Sequence, residues 1–360
     1  MKETNNQNAL SRFLARKNIE FSAKRYGIDA LSAMAQGLFA SLLIGTIVGT
    51  LGTQLGIELL VTIGNFAKNT HVVGASMAVA IGYALQAPPL VLFSLVSVGA
   101  ATNELGGAGG PLAVLFTSIV AAECGKAVSK ETKVDILVTP LLTLLPGILL
   151  AVTCAPTIGE AARRIGYLIM WATELQPFFM GIIVSVIMGI ALTLPISSAA
   201  ICHGFGLVGL AGGACVAGCC AQMVGFAVMS FRENKWGGLV SQGLGTSMLQ
   251  MGNIVKTPRI WIPPTLASAI TGPIATCIFG FEMNGAAISS GMGTCGLVGQ
   301  IGVYTGWLND IAAGTKAAIT GMDWLAMILI CFVLPAVLSV VFCEILRKIG
   351  WIKEGDLKLS

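Results

Sequence analysis

The polar residues best suited to chemistry lie in a glycine-rich stretch between two long apolar segments, residues 281–302, FEMNGAAISSGMGTCGLVGQIG. Glu282 and Asn284 open the stretch, and further polar side chains follow at Ser289, Ser290, Thr294 and Gln300. Broken backbone is tolerated at membrane depth only where protein or a water-filled cavity surrounds it. An ionisable residue there is a functional candidate. The stretch therefore predicts one wall of a substrate cavity, with Glu282 buried. The alternative is a helix that packs closely through its glycines.

A second stretch has a similar composition, residues 101–114, ATNELGGAGGPLAV. It pairs Asn103 with Glu104, and a run of glycines and Pro111 follow. Short, glycine-interrupted apolar segments are typical of binding sites in transporters. Glu104 is therefore a candidate ligand contact, and the alternative is an ordinary polar turn at the membrane surface.

A third polar segment, residues 193–213, lies in the middle of the chain and reads TLPISSAAICHGFGLVGLAGG. Pro195 breaks the helix, and His203 follows; the other histidine of the chain is His71. A histidine at membrane depth is a candidate contact for a solute or a proton, or a hydrogen-bonded packing residue. The candidate substrate-binding residues are thus Asn103, Glu104, His203, Glu282 and Asn284.

The ten cysteines fall almost entirely inside apolar segments, and none forms a CxxC pair. Cys215 and Cys219 are four residues apart on one helical face, but no second ligand pair lies nearby. This pattern favours small apolar core residues over a metal site. We expect no metal, no cofactor and no catalytic residue in this chain.

The composition indicates the elements that must position these residues. Of 360 residues, 55% are hydrophobic and 11% charged, whereas soluble domains carry about 25% charge. The sequence therefore predicts an all-α, polytopic membrane protein of about ten spans, with broken or re-entrant glycine-rich segments. No basic patch with interleaved aromatics suggests nucleic-acid binding. The spacings Gly45-xxx-Gly49 and Gly52-xxx-Gly56 permit close helix contact and are weak evidence for a homodimer.

Charge distribution predicts three regions. Residues 1–29 form a basic tail, which the positive-inside rule places in the cytoplasm, and part of it can form an amphipathic helix on the membrane. Residues 30–347 form the transmembrane domain, and residues 348–360 form a second cytoplasmic tail. Within the domain, Arg163 and Arg164 predict a basic loop before a further span.

Weak internal similarity suggests two halves. The pattern AL-x-x-P occurs at 84–88 and 191–195, Gly–Gly pairs at 109–110 and 212–213, and Thr–Pro pairs at 139–140 and 257–258. Structural repeats are common in transporters, with the site at their interface. If each half holds five spans, the repeats are inverted in the membrane.

Four longer runs carry a resemblance to a known family: 103–114, NELGGAGGPLAV; 194–201, LPISSAAI; 253–273, NIVKTPRIWIPPTLASAITGP; and 282–302, EMNGAAISSGMGTCGLVGQIG. With them, the chain resembles bacterial phosphotransferase-system component IIC, in the branch that includes perfringolysin O regulator-like proteins. The resemblance covers about 27–346. It implies a permease of the bacterial cell membrane that binds a sugar while a separate cytoplasmic IIB component phosphorylates it.

Two other functions stay open. The family's regulator-named members suggest a membrane-embedded regulator that senses a ligand and affects gene expression indirectly. An ion-coupled transporter of another solute, with its glutamates as proton relays, is the third alternative.

Overall fold

The computed structural model describes residues 9–359, with side chains from Ser11 onward. Within this range the chain is helical and contains no strand. Its helices are α1 Ala9–Arg16, α2 Arg25–Leu55, α3 Glu58–Ala67, α4 Thr70–Ala84, α5 Pro89–Gly106, α6 Gly110–Val128, α7 Asp135–Thr173, α8 Pro177–Thr193, α9 Ser198–Phe205, α10 Gly209–Met229, α11 Phe231–Val240, α12 Met251–Lys256, α13 Ile262–Pro273, α14 Ala287–Ser290, α15 Val298–Ala312 and α16 Gly321–Lys348. The predicted all-α class is confirmed.

Five helical segments are long and apolar enough to cross a membrane: Arg25–Leu55, Pro89–Val128, Asp135–Thr173, Gly209–Met229 and Gly321–Lys348. Three shorter apolar helices, α3, α4 and α8, accompany them. These segments make the chain a multi-pass membrane protein. The number of about ten spans stays a prediction.

The segment Pro89–Val128 is a helical hairpin, because the chain reverses between α5 and α6. Gly107 has φ 49° and ψ −120° at this reversal, in the left-handed region that glycine adopts without strain. The hydroxyls of Thr102 and Thr117 then meet at 3.1 Å across the two helices. At about 1.5 Å per residue, the 18 residues of α5 and the 19 residues of α6 are about 27 Å and about 29 Å long. Both lengths are close to the hydrocarbon thickness of about 30 Å.

Helix α7 differs from the sequence prediction. It continues without interruption from Asp135 to Thr173, so Arg163 and Arg164 lie within a helix and form no loop. Its 39 residues correspond to about 58 Å, which exceeds the thickness of a bilayer. The prediction was wrong because two adjacent cations do not by themselves end a helix. Gly166, which follows them, stays helical and packs closely against the ring of Phe205.

Helix α10 forms the centre of the fold and is almost entirely buried. Its small residues allow neighbours to approach closely: a Cβ on Gly213 would lie 1.7 Å from the carbonyl oxygen of Phe281. The buried Gln222 on α10 accepts a hydrogen bond from the Trp261 indole at 3.0 Å and donates one to Thr265 at 3.2 Å. A buried amide with these partners fixes α10 against α13.

Both terminal segments pack at one end of the bundle, where α4 ends and α5 begins; we call this the tail end. Lys126, which is 2% exposed, donates to the carbonyls of Asn18 at 2.7 Å and Leu85 at 3.0 Å. At the C-terminus, Ile352 and Leu357 are buried in the core. The predicted tails therefore pack against the bundle over their described parts; residues 1–8 and 360 lie outside the described residues.

The structure agrees with one of the sequence patterns that suggested an internal repeat and differs at another. Both AL-x-x-P patterns mark a helix end that a new helix follows, at α4–α5 and at α8–α9. The Thr–Pro pairs differ, because Thr139–Pro140 lies inside α7 whereas Thr257–Pro258 marks a break after α12. The inverted repeat stays a prediction.

Candidate functional site

A cavity of about 500 Å³ lies where several helix breaks converge, and we call it the main cavity for that reason. It is not the largest, because a cavity of about 620 Å³ lies at the tail end. The breaks that line it are the α3–α4 turn at 68–69, the α5–α6 reversal at 107, the α8–α9 break at 196–197, the 245–246 break and the turn at 292–295. Irregular backbone at membrane depth is tolerated where it lines a cavity, and transporters place their sites at such breaks.

His71 and Glu104 form the polar mouth of the main cavity. His71 lies in the first turn of α4 and Glu104 in the last turn of α5, and the His71 Nδ1 atom lies 3.5 Å from a Glu104 carboxylate oxygen. Their side chains are 55% and 62% exposed, respectively. Because neither is shielded, both can rearrange around a ligand. The sequence prediction included Glu104 and omitted His71 as a site residue.

Asn103 lines the same cavity but has a positioning role. Its side-chain amide donates to the carbonyl oxygen of Thr70 at 2.9 Å, which ties α5 to the first residue of α4. The side-chain oxygen Oδ1 of Asn103 lies against Gly110, where a Cβ would approach it to 2.4 Å. Asn103 therefore sets the spacing between His71 and Glu104.

Three helices begin at the main cavity, namely α4, α6 and α9. Helix N-termini carry positive partial charge and unpaired backbone N–H groups. Side chains cap two of them: Asn69 accepts from the His71 N–H at 3.0 Å, and Ser197 accepts from the Ala200 N–H at 3.2 Å. The cavity thus presents oriented dipoles to electron-rich ligand oxygens.

The remaining walls of the main cavity are mostly aliphatic. They include Leu38, Leu42, Leu43, Leu192, Ile196, Met248 and Met292. A few polar groups against apolar walls are typical of small-molecule sites. Lys68, Ser197, Ser198 and Thr246 complete the polar part of the lining.

The stretch 281–302 has the predicted broken backbone and contributes Met292 and Cys295 to the main cavity. Its polar residues serve largely to hold it in place. Ser290 donates to the carbonyl of Leu207 at 2.7 Å, and Ser198 donates to the carbonyl of Gly291 at 2.7 Å. The stretch is therefore both a cavity wall and a closely packed element.

Glu282 and Asn284 lie outside the main cavity lining. Glu282 is exposed, in contrast to the expected buried carboxylate. The Asn284 amide donates to Glu282 and to Asp310, each at 3.0 Å. Glu282 lines a separate cavity of about 90 Å³, together with Asp310, Lys316 and others. That volume is smaller than the main cavity by a factor of more than five.

His203 also lies away from the main cavity lining. It is exposed near the end of α9, whose first residues, Ser198 to Ala200, line that cavity. The histidine that the cavity does contain, His71, had a usable signal in the sequence: Lys68-Asn69-Thr70 interrupts an apolar region and Asn69 is a favoured N-cap. Of the buried cysteines, only Cys295 lines the main cavity, and the described residues contain no group of three metal-binding side chains.

The chain is thus a multi-pass helical protein with a polar-mouthed cavity at converging helix breaks. The family model for "Phosphotransferase system, EIIC" matches residues 28–359. The chain therefore belongs to this family, and at that level it is a membrane component of a sugar phosphotransferase system. Searches of curated proteins and of solved structures gave no match.

Proposed function

We propose that the main cavity binds a sugar and that the chain translocates it for phosphorylation by a separate IIB component. The observation that carries this proposal is the juxtaposition of His71 and Glu104, 3.5 Å apart at the mouth of a cavity formed by helix breaks. Both side chains come from helix ends that Asn103 holds together.

The chemistry of the lining suits a polyol. The Glu104 carboxylate accepts hydrogen bonds from sugar hydroxyls, and the two ring nitrogens of His71 are further hydrogen-bonding groups. The hydroxyls of Ser197 and Thr246 add further contacts. Such a site rejects analogues that lack a hydroxyl, because a desolvated polar group is then left unpaired.

The two ends of the bundle are suited to two different steps, sugar entry at one end and phosphorylation by IIB at the other. The mouth residues His71 and Glu104 lie at one end of α4 and α5, and both terminal segments pack at the tail end. We propose that the tail end faces the bacterial cytoplasm, where IIB acts, and that the protein forms a homodimer as the family resemblance implies.

Thermal stabilisation of the purified protein against sugars, sugar alcohols and sugar phosphates tests the binding step. A ligand at a hundredfold excess over its dissociation constant stabilises the folded state by about 2.7 kcal/mol. We expect a selective shift that Glu104→Gln and His71→Gln remove. If no sugar shifts the melting of folded protein, the sugar site is refuted.

A membrane-embedded regulator of the perfringolysin O regulator-like branch is the second candidate. The supporting observation is the direct attachment of the N-terminal segment to the bundle through Lys126, which provides a route for a signal. Deletion of residues 1–24 tests this regulator function. Loss of an effect on gene expression with intact solute uptake supports regulation, whereas a deletion that changes neither gene expression nor uptake contradicts it.

A further inference from the structure

A second polar cavity, of about 430 Å³, lies at the tail end between the N-terminal segment and the α6–α7 connection. We call it the basic cavity. It is lined by Arg16, Lys17, Asn18, Gln86, Pro88, Lys126, Ser129, Lys130 and Glu131. Four of these residues are cations and one is an anion. The proposed sugar site leaves this cavity without a role.

The charge balance of the basic cavity favours an anion. Glu131 already binds Arg16, at 2.8 Å, and Lys17. The Lys17 ammonium that hydrogen-bonds to Glu131 lowers the pKa of this carboxyl below its ordinary value, so the carboxylate stays ionised. Lys126 is neutralised by Glu123 at 2.9 Å. Among the lining residues, Arg16, Lys17 and Lys130 therefore leave a surplus of two positive charges over Glu131. Asp135, which accepts from the Lys130 N–H at 2.6 Å just outside the lining, reduces this surplus to one.

Backbone geometry adds to this positive field. Helix α5 begins at Pro89 directly after the lining residue Pro88 and has no side-chain cap. The N–H groups of Leu90 and Val91, in its first turn, have no intrahelical acceptor. The positive end of the α5 dipole therefore points toward the cavity.

The backbone around the basic cavity is also unusual. Of the five non-glycine residues with positive φ in the described part of the chain, three line this cavity: Asn18 at 53°, Gln86 at 55° and Lys130 at 61°. Such conformations are costly for residues with a Cβ, and they cluster at ligand sites where the surroundings hold them. Lys126 holds two of these turns together, through the carbonyls of Asn18 and Leu85.

The position of the cavity indicates the source of the anion. It lies at the start of α5 and the end of α6, whose lengths match the hydrocarbon thickness. It also adjoins α1, in which Phe13 and Leu14 are half-buried and Arg12 and Arg16 are exposed. Helix ends and amphipathic helices lie at the level of lipid headgroups, where basic pockets bind phosphate-bearing lipids.

We propose that the basic cavity is a binding site for the phosphate group of an anionic ligand, with an anionic phospholipid headgroup as the favoured source. Arg16 and Lys130 contact the phosphate, and Lys17 and the N-terminus of α5 supply the surrounding positive potential. The bound group joins the N-terminal segment to the start of α7. This site is independent of the proposed sugar site.

The test is lipid binding by the detergent-purified full chain, measured by native mass spectrometry and thermal stabilisation. The probes are phosphatidylglycerol, phosphatidylcholine and inorganic phosphate. We expect phosphatidylglycerol to bind and stabilise, and phosphatidylcholine to do neither. In Arg16→Gln/Lys130→Gln, apparent affinity falls at least about tenfold, since charge-assisted hydrogen bonds to phosphate are lost. Lys130→Gln alone should lower the apparent affinity by a smaller factor, and it replaces the double variant in the test if the double variant does not fold.

The matched control is Arg163→Gln/Arg164→Gln, which removes the same charge from two exposed positions on α7. We expect this control to keep its affinity within about twofold, because exposed charges beyond the site are screened. If inorganic phosphate stabilises the protein and the lipids do not, and if Arg16→Gln/Lys130→Gln removes this stabilisation, the phosphate site is supported and its ligand is a free anion. Equal losses in both double variants, or equal binding of the two lipids, would overturn the proposal.

Discussion

The stretches 101–114 and 281–302 look alike in sequence, since each joins an Asn and a Glu to a run of glycines, but the structure gives them different surroundings. Glu104 lies beside His71 at the mouth of a cavity of about 500 Å³. Glu282 lies beside Asn284 and Asp310 at a cavity of about 90 Å³. Similar composition therefore does not establish a similar role.

The difference comes from what packs against each stretch. The reversal at Gly107 meets the ends of helices from distant parts of the chain. These helix ends do not fill the space around Gly107, and the main cavity results. The stretch 281–302 packs directly on α10 and α9 through Phe281, Ser290 and Gly291. Its glycines mainly permit contact, whereas Gly107 permits a turn.

The largest expected effect concerns this close packing. Gly213→Ala places a Cβ 1.7 Å from the carbonyl oxygen of Phe281, so it should destabilise the protein by about 3 kcal/mol. Gly204→Ala is the control, because a Cβ at this position would have no heavy atom within 4 Å. Thermal melting in detergent measures both. Equal melting of the two variants would mean that 281–302 does not depend on this contact.

The second prediction compares the two carboxylates as ligand contacts. Glu104→Gln should weaken binding of the stabilising sugar by about 1.5–3 kcal/mol, the range for hydrogen bonds to charged groups. Glu282→Gln should change it by less than about 0.5 kcal/mol, the usual range for a surface substitution. Ligand titrations followed by melting measure both affinities. The reverse order would assign the site to the stretch 281–302.

The third prediction concerns the connection between α9 and the stretch 281–302. Ser198 is 4% exposed and donates to the carbonyl of Gly291 at 2.7 Å. Ser198→Ala should destabilise the protein by about 1–2 kcal/mol, because a buried carbonyl loses its donor. The exposed Ser11 provides the control Ser11→Ala. A melting temperature unchanged by Ser198→Ala would show that this bond does not hold the wall of the main cavity.

The smallest effect is expected at the Glu282 cluster. Asn284→Ala removes the amide that bridges Glu282 and Asp310, so the two carboxylates lose their shared donor at a cost of about 1 kcal/mol. This loss of stability should shrink in high salt, which screens the repulsion between the exposed Glu282 and the half-buried Asp310. Asn65→Ala, at an exposed position of α3, is the control. A loss independent of salt would argue against charge repulsion as its cause.

Much of the fold could be predicted from local properties of the chain. Low charge and long apolar runs identified a helical membrane protein, and prolines and glycines located most of the breaks around the main cavity. The continuous helix α7 was missed because Arg163 and Arg164 resembled a loop. Of the five candidate contacts, Asn103 and Glu104 line the main cavity, whereas His203, Glu282 and Asn284 do not. The role of all five as substrate contacts stays a prediction.

The sequence alone determined that this chain is helical, that it belongs in a membrane and where most of the breaks around the main cavity lie, because these properties depend on neighbouring residues. Only the tertiary structure decided which breaks meet. His71, Glu104, Ser197, Thr246 and Met292 come from segments far apart in the chain and surround one cavity. Helix packing sets that convergence, and it also separates two glutamates whose local sequences are alike.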